Sequence, residues 1–145
     1  MGAARQMTHI VPGNVAPGYS LKALDGKEYS LSSSMARGPV VLAFFKISCP
    51  VCQFTFPFLE RLYKRYAATD VTILGISQDD TAATMKFNAQ HGVTFPVLLD
   101  VPDFHVSNAY GLTNVPTIFL IDPAGKVQVS AIGFDKLALE AIAKA

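Results

Sequence analysis

Tryptophan is absent from the sequence, and its 145 residues include only two cysteines and three histidines. A structural zinc site needs four ligands, and His9, His91 and His105 show no paired spacing that would complete one with the two cysteines. Half of the residues are hydrophobic, which is enough apolar side chain for a sizeable core. We therefore expect a fold that needs no metal, no structural disulfide and no cofactor.

Charge of either sign is also scarce. Charged side chains make up 16% of the residues, and 12 Lys and Arg against 11 Asp and Glu leave a net charge of +1. No basic block is present that would neutralise a row of phosphates, so nucleic acid is not an expected partner. The longest apolar run, Val40 to Phe45, is far shorter than the roughly 18 residues of a membrane-spanning helix, so no membrane span is expected.

The chain length is typical of one domain, and no shift in composition divides it. We predict a single domain over residues 1–145, acting as a monomer, with an irregular lead-in over residues 1–18 that is punctuated by Pro and Gly. This lead-in has no apolar stretch typical of a secretory signal. The expected location is cytoplasmic if the chain is full length, and periplasmic or secreted if a leader has been removed.

The apolar pattern predicts alternating strands and helices. Asp25-Gly26 between two short alternating runs predicts an N-terminal β-hairpin, and Val40–Phe45 predicts a central strand buried on both faces. Further strands are predicted near residues 71–76, 94–99, 117–121 and 126–132, with helices near 50–66, 80–91, 103–109 and 137–142. This order predicts an α/β fold, a central mixed β-sheet with helices on both faces.

The helix that begins at Pro50 has apolar side chains every three or four positions, which predicts its buried face: Val51, Phe54, Phe58, Leu62 and Tyr66. Pro57 lies inside this helix and has no amide hydrogen to donate, so a kink is predicted there.

Cys49 and Cys52 lie three residues apart where the central strand gives way to this helix. The first turn of a helix has free backbone N–H groups and the positive end of the helix dipole, which favour a thiolate over a thiol. We therefore predict Cys49 as the attacking sulfur, and Cys52, one turn deeper, as the thiol that attacks a mixed disulfide formed on Cys49. Pro50 suits the first turn, where its missing N–H costs nothing. Two inert buried cysteines are the less favoured interpretation.

Val115-Pro116 immediately precedes a predicted buried strand. A cis bond there would expose backbone donors and acceptors, but only about 5–6% of X-Pro bonds in folded proteins are cis. Taken alone, this dipeptide is weak evidence for a site.

Together, four segments resemble the thioredoxin superfamily, and most of all its TlpA-like branch and the related peroxiredoxin-type redoxins. The segments are FFKISCPVCQFTFPFLERLYKRY, VTILGISQDD, GVTFPVLLD and AYGLTNVPTIFLIDPAGKV. The resemblance implies a thioredoxin-like fold and a thiol–disulfide oxidoreductase, with protein or small-molecule disulfides and thiols as partners and a separate thiol system resetting the pair. It also implies that Pro116 is cis and packs beside Cys49, and that the Val115 backbone pairs with an extended segment of a substrate protein.

Three positions depart from the family pattern. Ser48 stands where many thioredoxin-like proteins have Trp, Ala43 where thioredoxins usually have a buried Asp, and Thr55 where some TlpA-like proteins have Glu. Neither customary proton acceptor for the second cysteine is therefore present. Water, Thr55 acting as a relay, or Lys46 must accept that proton.

Lys46 is the cation nearest in sequence to the first cysteine. We hypothesise that its charge favours the Cys49 thiolate, because a nearby cation stabilises an anion. The alternative is a solvated residue at the end of a strand.

A thiol-dependent peroxidase with antioxidant activity is the main alternative function, because the wider pattern also resembles the alkyl hydroperoxide reductase superfamily. Peroxiredoxins resemble one another in a Thr or Ser three residues before the peroxidatic cysteine. Lys46 holds that position relative to Cys49, and Cys49 holds it relative to Cys52, so the motif is absent. A redox-inactive binding module on the same scaffold is a third alternative.

Overall fold

A computed structural model describes residues 11–133 and residue 142. The strands are β1 (Ser20–Lys22), β2 (Glu28–Ser30), β3 (Val40–Phe45), β4 (Thr72–Ser77), β5 (Val97–Leu99), β6 (Thr117–Ile121) and β7 (Val127–Ile132). The helices are α1 (Leu31–Met35), α2 (Pro50–Arg65), α3 (Thr81–His91) and α4 (His105–Ala109). Residues 1–10 of the predicted lead-in, and the predicted closing helix apart from Ile142, lie outside the described residues. The assignment of residues 1–145 to one domain stays a prediction.

Five strands form one mixed sheet in the order β5-β4-β3-β6-β7. Strand β3 is parallel to β4 and antiparallel to β6, while β4 and β5 are parallel and β6 and β7 antiparallel. Every residue of β3 is buried, which explains its uninterrupted apolar sequence. The predicted central strand is confirmed, and the carboxyl ends of β3, β4 and β5 meet at one edge of the sheet.

Helices cover both faces of this sheet. On one face, Phe44 packs with Phe119 and with Tyr110, which follows α4. On the other face, Phe45 packs against Phe56 of α2 and Phe87 of α3. Because successive strand residues point to opposite faces, the neighbouring phenylalanines of β3 serve two separate cores. The predicted fold class is confirmed.

The N-terminal β-hairpin is also confirmed. Strands β1 and β2 pair antiparallel around the Asp25-Gly26 turn, and the Leu24 amide donates to the Val97 carbonyl at 3.1 Å. Residues 11–18 are irregular apart from a bridge between Val15 and Lys126. Within the part of the chain described, no helix is long and apolar enough to span a bilayer.

The predicted buried face of α2 is wrong in its first two turns. Val51 and Phe54 are 42% and 65% exposed, whereas Cys52, Phe56 and Leu59 are fully buried. Further along the helix Leu62 is buried as predicted, and Phe58 and Tyr66 are half-buried against the same core. The first two turns of this helix are apolar at most positions, so a 3.6-residue period fits two adjacent stripes equally well. Which stripe is buried depends on how the helix sits on the sheet.

Candidate active site

Cys49 is the N-cap residue of α2, directly after the loop that follows β3. The Cys52 amide donates a hydrogen bond to the Cys49 sulfur at 3.3 Å, and the Gln53 amide donates to the Cys49 carbonyl at 3.1 Å. The sulfur thus takes the place of the side-chain oxygen that usually caps a helix, and it accepts one of the free N–H groups of the first turn. This contact and the helix dipole both stabilise negative charge on a half-buried sulfur. Pro50 is the first helical residue, as predicted.

Cys52 differs sharply from Cys49 in its surroundings. It is fully buried in the core between the sheet and α2. Burial raises the pKa of the Cys52 thiol far above its ordinary value, and the adjacent Cys49 thiol raises that pKa further. Cys49 is therefore the accessible sulfur, and Cys52 is held in its protonated form.

Val115 lies beside Cys49, although 66 residues separate the two along the chain. The peptide bond between Val115 and Pro116 is cis. The Cys49 thiol donates to the Val115 carbonyl at 3.4 Å, and the Gly133 amide donates to the Pro116 carbonyl at 2.8 Å. The turn before β6 thus places a backbone carbonyl against the first sulfur.

Two residues that the sequence analysis did not select hold the loop between β3 and α2. The Ile47 amide donates to the Asp79 carboxylate at 2.8 Å, and the Gln53 side chain donates to the Ile47 carbonyl at 3.0 Å. Asp79 follows β4, which is parallel to β3, so both loops lie at the same edge of the sheet. The position of Asp79, an acidic residue just after the strand parallel to β3, is the sequence feature from which this contact with Ile47 could have been predicted.

Thr55 and Lys46 have different surroundings. Thr55 is buried in α2, and its hydroxyl donates to the Val51 carbonyl at 2.7 Å. Lys46 is exposed, and its carbonyl accepts the Cys49 amide at 3.3 Å. The Lys46 side chain lines a groove that also includes Val115.

A pair of cysteines at the start of a helix, beside a cis-proline turn in a mixed sheet, is typical of the thioredoxin-like class of oxidoreductases. Residues 12–130 match the model of the AhpC/TSA family, and the chain belongs to that family.

Relatives with an assigned activity are similar over most of the chain. The thiol-disulfide oxidoreductase ResA of Geobacillus thermodenitrificans is 36% identical over 124 residues, which cover 85% of this chain and 70% of that protein. The ResA of Bacillus subtilis is 36% identical over 119 residues, or 81% of this chain and 65% of that protein.

Solved structures agree with these relatives. The thioredoxin domain of a thiol-disulfide oxidoreductase from Bacteroides vulgatus superposes with a TM-score of 0.79 at 26% identity, covering 91% of this chain and 96% of that one. A thiol:disulfide interchange protein from Chlorobium tepidum superposes with a TM-score of 0.76 at 28% identity, covering 93% and 96%. The protein is a thiol–disulfide oxidoreductase of thioredoxin-like fold, as the sequence predicted.

Proposed function

We propose that Cys49 attacks disulfides in extended protein segments that pair with the Val115 backbone, and that Cys52 completes the exchange. The observation that supports this proposal best is the 3.4 Å contact between the Cys49 sulfur and the Val115 carbonyl. It joins a half-exposed nucleophile to a backbone edge, and backbone edges bind extended chains through main-chain hydrogen bonds.

The first step begins with the Cys49 thiolate. It attacks one sulfur of the substrate disulfide, the substrate S–S bond breaks, and the departing sulfur leaves as a thiolate that takes up a proton. Cys52 then loses its proton and attacks the Cys49 sulfur. The mixed disulfide breaks, a second substrate thiol is released, and the enzyme is left with a Cys49–Cys52 disulfide. Two electrons and two protons have passed to the substrate.

Ionisation of Cys49 frees the Val115 carbonyl to accept a hydrogen bond from a substrate. The thiol donates to the Val115 carbonyl, whereas a thiolate has no hydrogen to donate. Ionisation therefore releases this carbonyl for a substrate N–H. Among the described residues, none accepts a hydrogen bond from the Val115 amide, so a substrate carbonyl can use that donor as well.

Deprotonation of Cys52 is the demanding part of the cycle, because the thiol is fully buried and burial raises its pKa. The Thr55 hydroxyl already donates a hydrogen bond to the Val51 carbonyl, and the ammonium group of a lysine has no lone pair, so neither Thr55 nor Lys46 is suited to act as a base. Water that enters with the substrate is the acceptor we propose. In this scheme Lys46 acts only through its charge, by favouring the Cys49 thiolate.

A second thiol–disulfide couple must reset the cysteine pair, and the cycle needs only the residues of one chain, which is consistent with a monomer. The same steps run backwards when the partner couple is more oxidising than this one. Both expected locations, cytoplasmic for a full-length chain and periplasmic or secreted after loss of a leader, suit this chemistry. The measured reduction potential, set against that of the compartment, gives the direction of electron flow.

The test is to trap partners on Cys49. The Cys52→Ser variant, mixed with a cell extract, should accumulate mixed disulfides with partner proteins that dithiothreitol releases. The Cys49→Ser variant, which keeps the buried sulfur, is the matched control and should trap far less. Rapid turnover of hydrogen peroxide by the intact protein, with no trapped partners, would favour the thiol-dependent peroxidase instead.

A further inference from the structure

We propose that a groove beside Cys49 selects substrates with an acidic residue next to the reactive cysteine, and that Lys46 makes this selection. The inference rests on the proposed function, since it specifies the substrate of the same site. The groove, called the Lys46 groove below, is lined by Lys46, Gln78, Leu112, Thr113, Asn114 and Val115.

The Lys46 groove shares one residue, Val115, with the surroundings of the Cys49 sulfur. Val115 belongs to its lining, and the Val115 carbonyl contacts the Cys49 sulfur at 3.4 Å. Lys46 comes from the other side of the site, where its carbonyl accepts the Cys49 amide. A substrate segment that pairs with Val115 therefore places the residues flanking its cysteine in this groove.

Among the residues that the structure describes, the charge lining the groove has one sign. None of the lining residues is Asp or Glu, and within residues 11–133 and 142 Lys46 forms no ion pair. The carboxylate closest in sequence to the lining, Asp79, accepts the Ile47 amide in the neighbouring loop. A substrate carboxylate would thus meet an unpaired ammonium, and a substrate ammonium would meet repulsion.

Neutral polar groups complete the groove. Thr113 and Asn114 are exposed and offer hydrogen bonds to a carboxylate, while the Gln78 side chain donates to the Ser107 hydroxyl at 2.9 Å and is thereby held in place. Because Lys46 is exposed, its attraction is screened by solvent and amounts to a severalfold preference rather than an absolute requirement.

The experiment uses three disulfide-linked peptides that differ only in the residue beside the cysteine, which is Glu, Gln or Lys. The measured quantity is the ratio of kcat/KM for the Glu peptide to that for the Lys peptide. For the intact protein at low salt we expect a ratio of about five to ten, falling toward one at about 0.5 M NaCl. A ratio is used because any effect of Lys46 on the reactivity of Cys49 is common to all three peptides and cancels.

Three variants test the assignment to Lys46. Lys46→Gln should bring the ratio close to one, and Lys46→Glu should invert it. Lys86→Gln removes the same charge from an exposed position on α3 outside the groove, and it should leave the ratio unchanged. An unaltered ratio in Lys46→Gln, or an equal fall in Lys86→Gln, overturns the inference. Failure of the intact protein to react with any of the peptides would instead contradict the proposed function, and the inference with it.

Discussion

Two loops at the same edge of the sheet use the start of a helix for opposite purposes. After β3, residues 46–49 lead into α2, and the half-buried Cys49 sulfur accepts the amide of Cys52. After β5, residues 100–104 lead into α4, where the Asp100 carboxylate accepts the amides of Val106 and Ser107 at 3.1 and 2.7 Å. Asp100 also accepts the Ser107 hydroxyl at 2.7 Å and is fully buried.

The Asp100 carboxylate and the Cys49 sulfur differ in how many hydrogen-bond donors surround them. The oxygens of Asp100 are engaged by three donors inside the protein, so its charge is satisfied and ties the loop to α4. The Cys49 sulfur accepts one amide and is partly exposed to solvent. Similar backbone donors therefore stabilise the fold in one loop and the proposed nucleophile in the other.

Loss of the reactive sulfur should have the largest effect. Cys49→Ser should lower the rate of disulfide exchange by at least about a thousandfold, because serine does not attack disulfides. Its thermal unfolding should stay close to that of the intact protein, since the hydroxyl can still accept the Cys52 amide. Stopped-flow exchange kinetics and thermal denaturation measure the two properties. A large loss of stability would mean that Cys49 is a structural residue after all.

Removal of the buried Asp100 carboxylate should lower stability and leave the exchange reaction unchanged. Asp100→Ala leaves three donors without an acceptor and should lower the free energy of unfolding by about 3–5 kcal/mol. Exchange by the molecules that remain folded should be unchanged. Asp103→Ala, in the same loop but exposed, is the matched control and should unfold almost as the intact protein does. Denaturant titration compares the two, and equal losses would refute this role for Asp100.

We expect the second step of exchange, the attack of Cys52 on the mixed disulfide, to depend on pH. Since burial raises the pKa of Cys52, its thiolate fraction grows as pH increases from 6 to 9, and attack on a mixed disulfide at Cys49 should accelerate by up to about tenfold per pH unit. Single-turnover measurements on a preformed mixed disulfide report this rate. A rate that stops rising near neutral pH would indicate a base close to Cys52.

The raised pKa of Cys52 also makes the free energy of unfolding depend on pH. Above the ordinary thiol pKa of about 8.5, the unfolded chain ionises at Cys52 while the folded protein does not. The stabilisation is therefore complete below this pH and is lost progressively as pH rises from it toward the raised pKa of the folded protein. The free energy of unfolding should fall above about pH 8.5, and Cys52→Ala should show a shallower decline.

The smallest expected effect is at the exposed end of the Asp100 loop. An oxygen of the Asp103 carboxylate lies 3.0 Å from Nδ1 of the His105 ring. The hydrogen bond between the two side chains raises the pKa of His105. In Asp103→Asn, the pKa of His105 should fall back toward its ordinary value, as followed by NMR titration of the ring protons. An unchanged titration would show that solvent screens the pair completely.

Local patterns explain what was predictable. The continuous apolar run of β3 and the Asp25-Gly26 turn each specify an element through neighbouring residues, and Cys49 at a strand–helix junction specifies its own helix cap. By contrast, Glu60 is a buried acid in the middle of α2 that nothing local explains. Its carboxylate accepts the Thr94 amide at 2.7 Å and the Phe95 amide at 3.3 Å, across 34 and 35 residues.

The sequence by itself determined where the two cysteines stand at the start of the helix, their order along it and the proline turn, because helix caps, periodicity and turns depend on residues within a few positions of one another. Only the tertiary structure decided that Cys52 is buried while Phe54 is exposed, and that the Val115 carbonyl contacts Cys49. These contacts depend on the rotation of α2 on the sheet and on the antiparallel pairing of β3 with β6. That pairing sets the distance between groups far apart in the chain.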